Sequence, residues 1–157
     1  MKILVIYDSK GGNTEQMAHA IAKGAENVGA KVSLKRAEVA TMEDLQSADG
    51  IIMGSPTYFG QMSSRLKHLI DDSIALHTKM TGKVGAAFTS SGGTASGAET
   101  TLLSILQVML IHGMIVQGNS EHWHYGVAAQ GAPKPQDLKA CEELGERVAF
   151  LVQKLKT

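Results

Sequence analysis

The sequence predicts an α/β fold, a doubly wound, five-stranded parallel sheet in the order 2-1-3-4-5. Short apolar runs alternate with amphipathic stretches from end to end, the pattern of strands joined by crossover helices. The runs are almost wholly apolar, as strands buried on both faces are. The 17 glycines cluster where a strand hands over to a helix. Right-handed crossovers then cover both faces of the sheet, and 2-1-3-4-5 is the order expected of such a unit.

KILVIY at 2–7 is the first buried strand, and residues 14–28 form a helix with Met17, Ala18, Ile21, Ala22 and Ala25 on one face. KVSLKR at 31–36 alternates like an edge strand, and 42–48 forms a short helix or turn. GIIMGS at 50–55 is the next strand, followed by a helix over 63–76 with Leu66, Leu69 and Ile70 inward. KVGAAFTS at 83–90 is the fourth strand, and residues 99–112 form a helix with Gly113 at its C′ position. MIVQG at 114–118 is the last strand, and 119–134 reads as irregular. Pro135 opens the final helix, with Leu138, Cys141, Leu144, Val148, Leu151, Val152 and Leu155 on its apolar face.

The 157 residues fit one domain spanning 1–157, with no repeat and no low-complexity segment. Fifteen basic residues balance fifteen acidic ones; with no basic stripe or charged block, neither a nucleic-acid partner nor a disordered tail is expected. The apolar run at 3–6 is too short for a signal peptide or a membrane span, so a cytoplasmic location and no membrane partner are expected. The single cysteine, Cys141, excludes an internal disulfide and suits a reducing compartment. Its place on the apolar face of the last helix makes it a core residue rather than a nucleophile.

In such sheets a ligand sits beyond the carboxyl ends of the strands, at the switch point. Three loops reach that edge. The first, Ser9, Lys10, Gly11, Gly12, Asn13 and Thr14, offers hydroxyls and bare amides at a helix N-terminus, a natural phosphate site. It matches neither GxxxxGK[ST] nor GxGxxG, so it suits one phosphate rather than a triphosphate or pyrophosphate. The same residues also read as a plain glycine turn with Asn13 or Thr14 as N-cap. The second loop carries Pro56, Thr57, Tyr58, Phe59 and Gly60, where an aromatic beside a bent backbone can stack on a planar ring or simply pack the loop. The third, with Ser90, Ser91, Gly92, Gly93, Thr94 and Ala95, lets a backbone approach a flat ligand closely.

IYDSKGGNT resembles the phosphate loop of flavodoxins. GSPTYFGQMSSRLKHLID, SSGGTASG and IHGMIVQG resemble the WrbA-type NAD(P)H:quinone oxidoreductases, in the right order over almost the whole chain. The resemblance implies a flavodoxin-like fold and an FMN cofactor. It places the FMN phosphate on Ser9 to Thr14, the isoalloxazine ring beside Thr57, Tyr58, Phe59 and Gly60, and the ribityl side and the ring's other edge on Ser90 to Ala95. It further implies a homo-oligomer in which His112 lies near the flavin of a neighbouring subunit and counts as the catalytic candidate. The chain departs from the pattern at Gly11, where flavodoxins usually carry threonine, and it lacks the family's insertion before the third strand.

Other residues carry less. A histidine at the end of a helix, as His112 is, suits the helix dipole whatever its function. His122 and His124 have the spacing of two metal ligands, but no third ligand accompanies them, so no metal is expected, and Trp123 and Tyr125 suit a flavin cover or a subunit contact. Asp8 follows the first strand as in receiver domains, yet the phospho-acceptor position falls near Ser55, and no GxSxG elbow is present.

The expected function is therefore reduction of a quinone or similar small-molecule acceptor by NADH or NADPH through bound FMN. The alternative is a flavodoxin-type carrier that shuttles single electrons to a redox protein. Such carriers are usually strongly acidic, which steers them to basic partners. This chain is neutral, and its ring loops hold no Asp or Glu, which favours the enzyme.

Overall fold

The computed structural model describes residues 1–156. Its strands are β1 (Lys2–Tyr7), β2 (Lys31–Arg36), β3 (Gly50–Pro56), β4 (Val84–Ser91) and β5 (Ile115–Val116), hydrogen-bonded in the order β2-β1-β3-β4-β5 with every pair parallel. The flavodoxin-like order expected from the sequence is the one observed. Alternation along β1 sends Ile3, Val5 and Tyr7 to one face of the sheet and Leu4 and Ile6 to the other. On the first face lie α1 (Asn13–Asn27) and α5 (Pro135–Leu155); on the second lie α2 (Met42–Ser47), α3 (Ser64–Asp72) and α4 (Ala98–Ile111).

The fifth strand differs from expectation. It is broken in two: Ile115 and Val116 pair with Val84 and Gly85, and a sixth strand, β6 (Val127–Gln130), pairs with Phe88–Ser91 at the other end of β4. The segment 117–126 leaves the ladder between them. It closes on itself through Asn119, whose amide donates to the His124 carbonyl (3.3 Å) and whose carbonyl accepts from His124 Nδ1 (2.7 Å). Trp123 packs from it against the core on the α1/α5 side. The stretch 119–134 is therefore not irregular throughout.

Three smaller corrections have local causes. The 63–76 helix ends at Asp72 and tightens into a 3-10 turn over Ser73–Leu76, where the Ser73 hydroxyl donates to the Ile70 carbonyl (2.6 Å). The first helix is capped by Gly12 at φ 90°, not by Asn13 or Thr14. On α5 the buried face runs through Ala140, Cys141, Leu144, Gly145, Val148, Ala149 and Val152, while Leu155 is exposed. Burial pushes the Cys141 thiol up to about 12, so it stays an inert core thiol at neutral pH.

Helices α1 and α5 pack backbone on backbone. A Cβ on Gly24 would lie 1.9 Å from the Glu142 carbonyl oxygen, and one on Gly145 would lie 2.0 Å from that of Ile21. The two glycines let the helices touch, and α1 carries the first candidate loop at its N-terminus. Glycine to alanine in an exposed helix gains about 0.5–1 kcal/mol. Here the clash reverses the sign: Gly145→Ala is expected to lower unfolding free energy by about 1–3 kcal/mol, measured as a fall in the denaturant midpoint. A stabilised variant would show that the helices do not meet there.

Candidate functional site

Ser9, Lys10, Gly11, Asn13 and Thr14 from the first loop, Pro56, Thr57 and Tyr58 from the second, and Ser90, Ser91 and Gly92 from the third line one cavity of about 170 Å³. The sequence placed all of these at one sheet edge, and the structure brings them together. Gly131, just after β6, completes the lining. The sequence does not mark it, because the short VAAQ run carries no strong strand signal beside the polar 117–126 segment. A cavity this size is below the roughly 300 Å³ of a typical small-molecule pocket, so it suits part of a larger ligand, with the remainder lying in the open.

The first loop is shaped by its own bonds. The Gly12 amide donates to Ser9 Oγ (3.1 Å), which leaves the Ser9 O–H free to donate outward. Helix α1 then starts from Gly12 with no side chain capping its first amides. By contrast, α2 is capped by Thr41 and α3 by Ser63. Helix α4, which starts from Gly97, also lacks a side-chain cap, but it is α1 whose first residues, Asn13 and Thr14, line the cavity, so its orphan donors are left for something in the cavity to satisfy. Deeper in, Thr14 Oγ1 and Ser90 Oγ lie 2.8 Å apart, both buried, joining the first loop to the end of β4.

The second and third loops are knitted together. The Thr57 amide donates to the Ser90 carbonyl (2.8 Å), and Thr89 Oγ1 donates to the Ser55 carbonyl (2.7 Å). With that hydrogen used, the 2.8 Å contact between Thr57 and Thr89 has Thr57 as donor, so Thr57 presents an acceptor lone pair. Thr94 donates to Gln130 (2.8 Å) and fastens the third loop to β6. Gly93, Thr94 and Ala95 themselves stand away from the cavity wall.

Tyr58 and Gln61 exchange both backbone bonds (3.0 and 2.9 Å) around Phe59 at φ 51° and Gly60 at φ 72°. Two positive φ values in a two-residue turn are the type I′ geometry, which favours Asn-Gly. Phe59 is the wrong residue for it and is fully exposed. A strained, solvent-facing aromatic is held up at the rim without packing on anything, and Thr100 fixes the turn by donating to the Gly60 carbonyl (2.7 Å). Strain of this kind concentrates at functional sites.

His112 is not in this cavity. Helix α4 runs 14 residues away from the edge, about 21 Å, and His112 follows its far end. Ser73 spends its only hydrogen on the Ile70 carbonyl, so it accepts from His112 Nε2–H at 2.8 Å. The ring is then the Nε2–H tautomer, and its buried Nδ1 has no partner among the described residues. Burial, with His77 nearby, holds the His112 pKa below the usual histidine value.

The family described as NADPH-dependent FMN reductase matches residues 36–125. A protein named NAD(P)H dehydrogenase (quinone) from Archaeoglobus fulgidus is 40% identical, over 98% of this chain and 98% of its own. A protein named flavodoxin from Aquifex aeolicus is also 40% identical, over 94% of this chain and 85% of its own. Among solved structures, a flavodoxin described as WrbA-like from Agrobacterium tumefaciens superposes with TM-score 0.86 at 28% identity, covering 98% of each chain. No helix among the described residues is long and apolar enough to cross a membrane.

Replacing Phe59 by Asn is expected to raise stability by about 1 kcal/mol, because Asn accepts the left-handed backbone, while weakening flavin affinity. Thermal unfolding and an FMN titration read the two effects, and a less stable variant would remove the strain. For His112 the sign runs the other way from a salt-bridged histidine. Its folded pKa lies below the unfolded one, so stability is full above about pH 6.5 and is lost as pH falls toward the depressed folded value. Denaturant midpoints between pH 7.5 and 5.5 are expected to fall in the wild type and to fall less in His112→Gln; equal slopes would show that His112 does not contribute.

Proposed function

We propose a flavin-dependent oxidoreductase on one premise: this chain belongs to the NADPH-dependent FMN reductase family. The observation that carries the reading is the uncapped N-terminus of α1 opening onto the cavity that all three loops share. The donor set fits FMN: orphan amides and the Ser9 hydroxyl suit one phosphate dianion, and the Thr57 and Ser90 side of the cleft suits the polyhydroxyl chain and the polar ring edge. Tyr58, half exposed on the cavity wall, and Phe59 at the rim offer flat apolar faces to the ring.

FMN held by these residues would supply the two-electron chemistry that links NADH or NADPH to a quinone or similar acceptor. The protein's share is placement. Hydroxyls and amides fix the phosphate end, the paired Thr57 and Thr89 fix the second loop, and the open rim leaves one side accessible to donor and acceptor in turn. No side chain is needed as acid or base.

His112 fits this scheme only through another copy of the chain. With Nε2 held by Ser73, its ring is fixed in place at the far end of α4, and we infer that it approaches the flavin site of a neighbouring subunit in a homo-oligomer. A location in the reducing cytoplasm is in keeping with the single buried Cys141. The second reading, an electron carrier, is favoured by the likeness to the protein named flavodoxin at the same identity. Against it stands the lack of acidic residues in the three loops.

One preparation separates these. FMN-loaded protein is mixed anaerobically with NADH or NADPH, then with a quinone, while flavin absorbance is followed, and its mass is read by light scattering. Rapid bleaching reversed by the quinone, from an oligomer, is the expected result. Absence of bleaching with either nucleotide, alongside ready reduction by dithionite, would replace the enzyme with the carrier. A fully active monomer would remove His112 from the reaction.

A further inference from the structure

Behind the first loop lies a charged cluster that none of the cavity chemistry uses. Arg36 ends β2, directly opposite Tyr7 in the register. Its Nη1 donates to the Ser9 carbonyl (2.9 Å), its Nη2 pairs with Glu15 (2.9 Å), and its guanidinium lies 5.4 Å from the centre of the Tyr7 ring. The Tyr7 hydroxyl donates to the other oxygen of Glu15 (2.7 Å). Glu15 therefore has both oxygens engaged. Tyr7 first, with Arg36 behind it, holds its carboxyl below the usual carboxylate range.

Glu15 sits in the first turn of α1. A carboxylate there suits the helix dipole, but it stands beside the amides that would receive a phosphate, and like charges oppose each other at this range. The cluster answers both problems at once. The Arg36 charge offsets Glu15, and the same guanidinium grips the loop through Ser9, whose own hydroxyl accepts from Gly12. Two bonds at fixed angles from one cation need the planar fork of arginine; lysine offers a point charge.

We propose that Arg36 is a positioning residue for anion binding: by neutralising Glu15 and clamping the Ser9 carbonyl, it makes the first loop a receptor for the phosphate of FMN. This rests on the FMN reading above. The effect belongs to the phosphate alone, so riboflavin, which has the same ring and polyhydroxyl chain without the phosphate, is the control.

Apo-protein is titrated with FMN and with riboflavin by flavin fluorescence quenching. Arg36→Gln is expected to weaken FMN about tenfold, the effect of losing one charge-assisted contact, and to leave riboflavin within twofold. Glu15→Gln in the same background recovers most of the loss, and Arg36→Lys recovers part. Glu15→Gln alone, which keeps the arginine grip on Ser9, is expected to hold FMN at least as tightly as wild type, and it tests the charge term should Arg36→Gln fail to fold. Equal losses for both flavins, or tighter riboflavin but weaker FMN in Glu15→Gln, would overturn the proposal. Wild type that binds FMN tightly with Arg36→Gln unchanged overturns this inference alone; wild type that binds neither flavin overturns the cofactor reading and this inference with it.

Discussion

Everything at the carboxyl edge depends on β1, β3 and β4 pairing in parallel and ending nearly level. Tyr7 pairs with Gly54, Gly54 with Phe88, and Pro56 with Ser90. Parallel strands in this register deliver their following loops to one place. Because β1 leads to a helix on one face and β3 and β4 to helices on the other, the loops part and leave a crevice. The ring of Phe88 is part of that arrangement. It occupies the space over Gly54, where a Cβ would fall 2.1 Å from its Cζ, so the bare Gly54 backbone gives the ring its place just below the site.

Rigidity and strain are divided between the two levels. Below the edge the molecule is close-packed, with α1 and α5 in backbone contact and apolar layers on both faces. At the edge, Phe59 and Ala95 take up left-handed backbone conformations that cost a bulky or β-carbon-bearing residue free energy. The strained loops hold their shape because they are bonded to one another: Thr57 to Ser90 and Thr89, Thr100 to Gly60, Thr94 to Gln130. A ligand would meet a surface already shaped, at little further ordering cost.

The sequence shows the fold clearly because strands buried on both faces cannot avoid uninterrupted apolar runs, and the loops of the site because glycines and hydroxyls gather there for reasons local to each loop. What is hidden depends on contacts between distant residues. The break in the fifth strand arises from bonds between Asn119 and His124 and from Trp123 reaching the core, and no local preference announces it. Phe-Gly is not the pair that signals a type I′ turn, so the outward projection of Phe59 was not foreseeable. Arg36 reads as one more polar residue on an alternating edge strand; its grip on Ser9 exists only once β2 is set beside β1 in register. His112 was marked by its sequence context, but its separation from the cavity follows from the direction of α4.

A protein named flavodoxin and one named NAD(P)H dehydrogenase (quinone) are equally identical to this chain, so the fold itself does not decide between a carrier and an enzyme; the charge around the ligand bears on it. Reduction adds negative charge to a bound flavin, and carboxylates near the ring oppose it. In this chain residues 9–14, 56–61 and 90–97 contain no acid. Of the two carboxylates that flank the first loop, Glu15 has both oxygens engaged by Tyr7 and Arg36, while Asp8 is buried with one oxygen 3.4 Å from Arg65 and the other without a partner among the described residues. With no acid in the three loops, the site adds no carboxylate from them to oppose the negative charge that reduction places on a bound flavin, and a two-electron change is correspondingly less opposed.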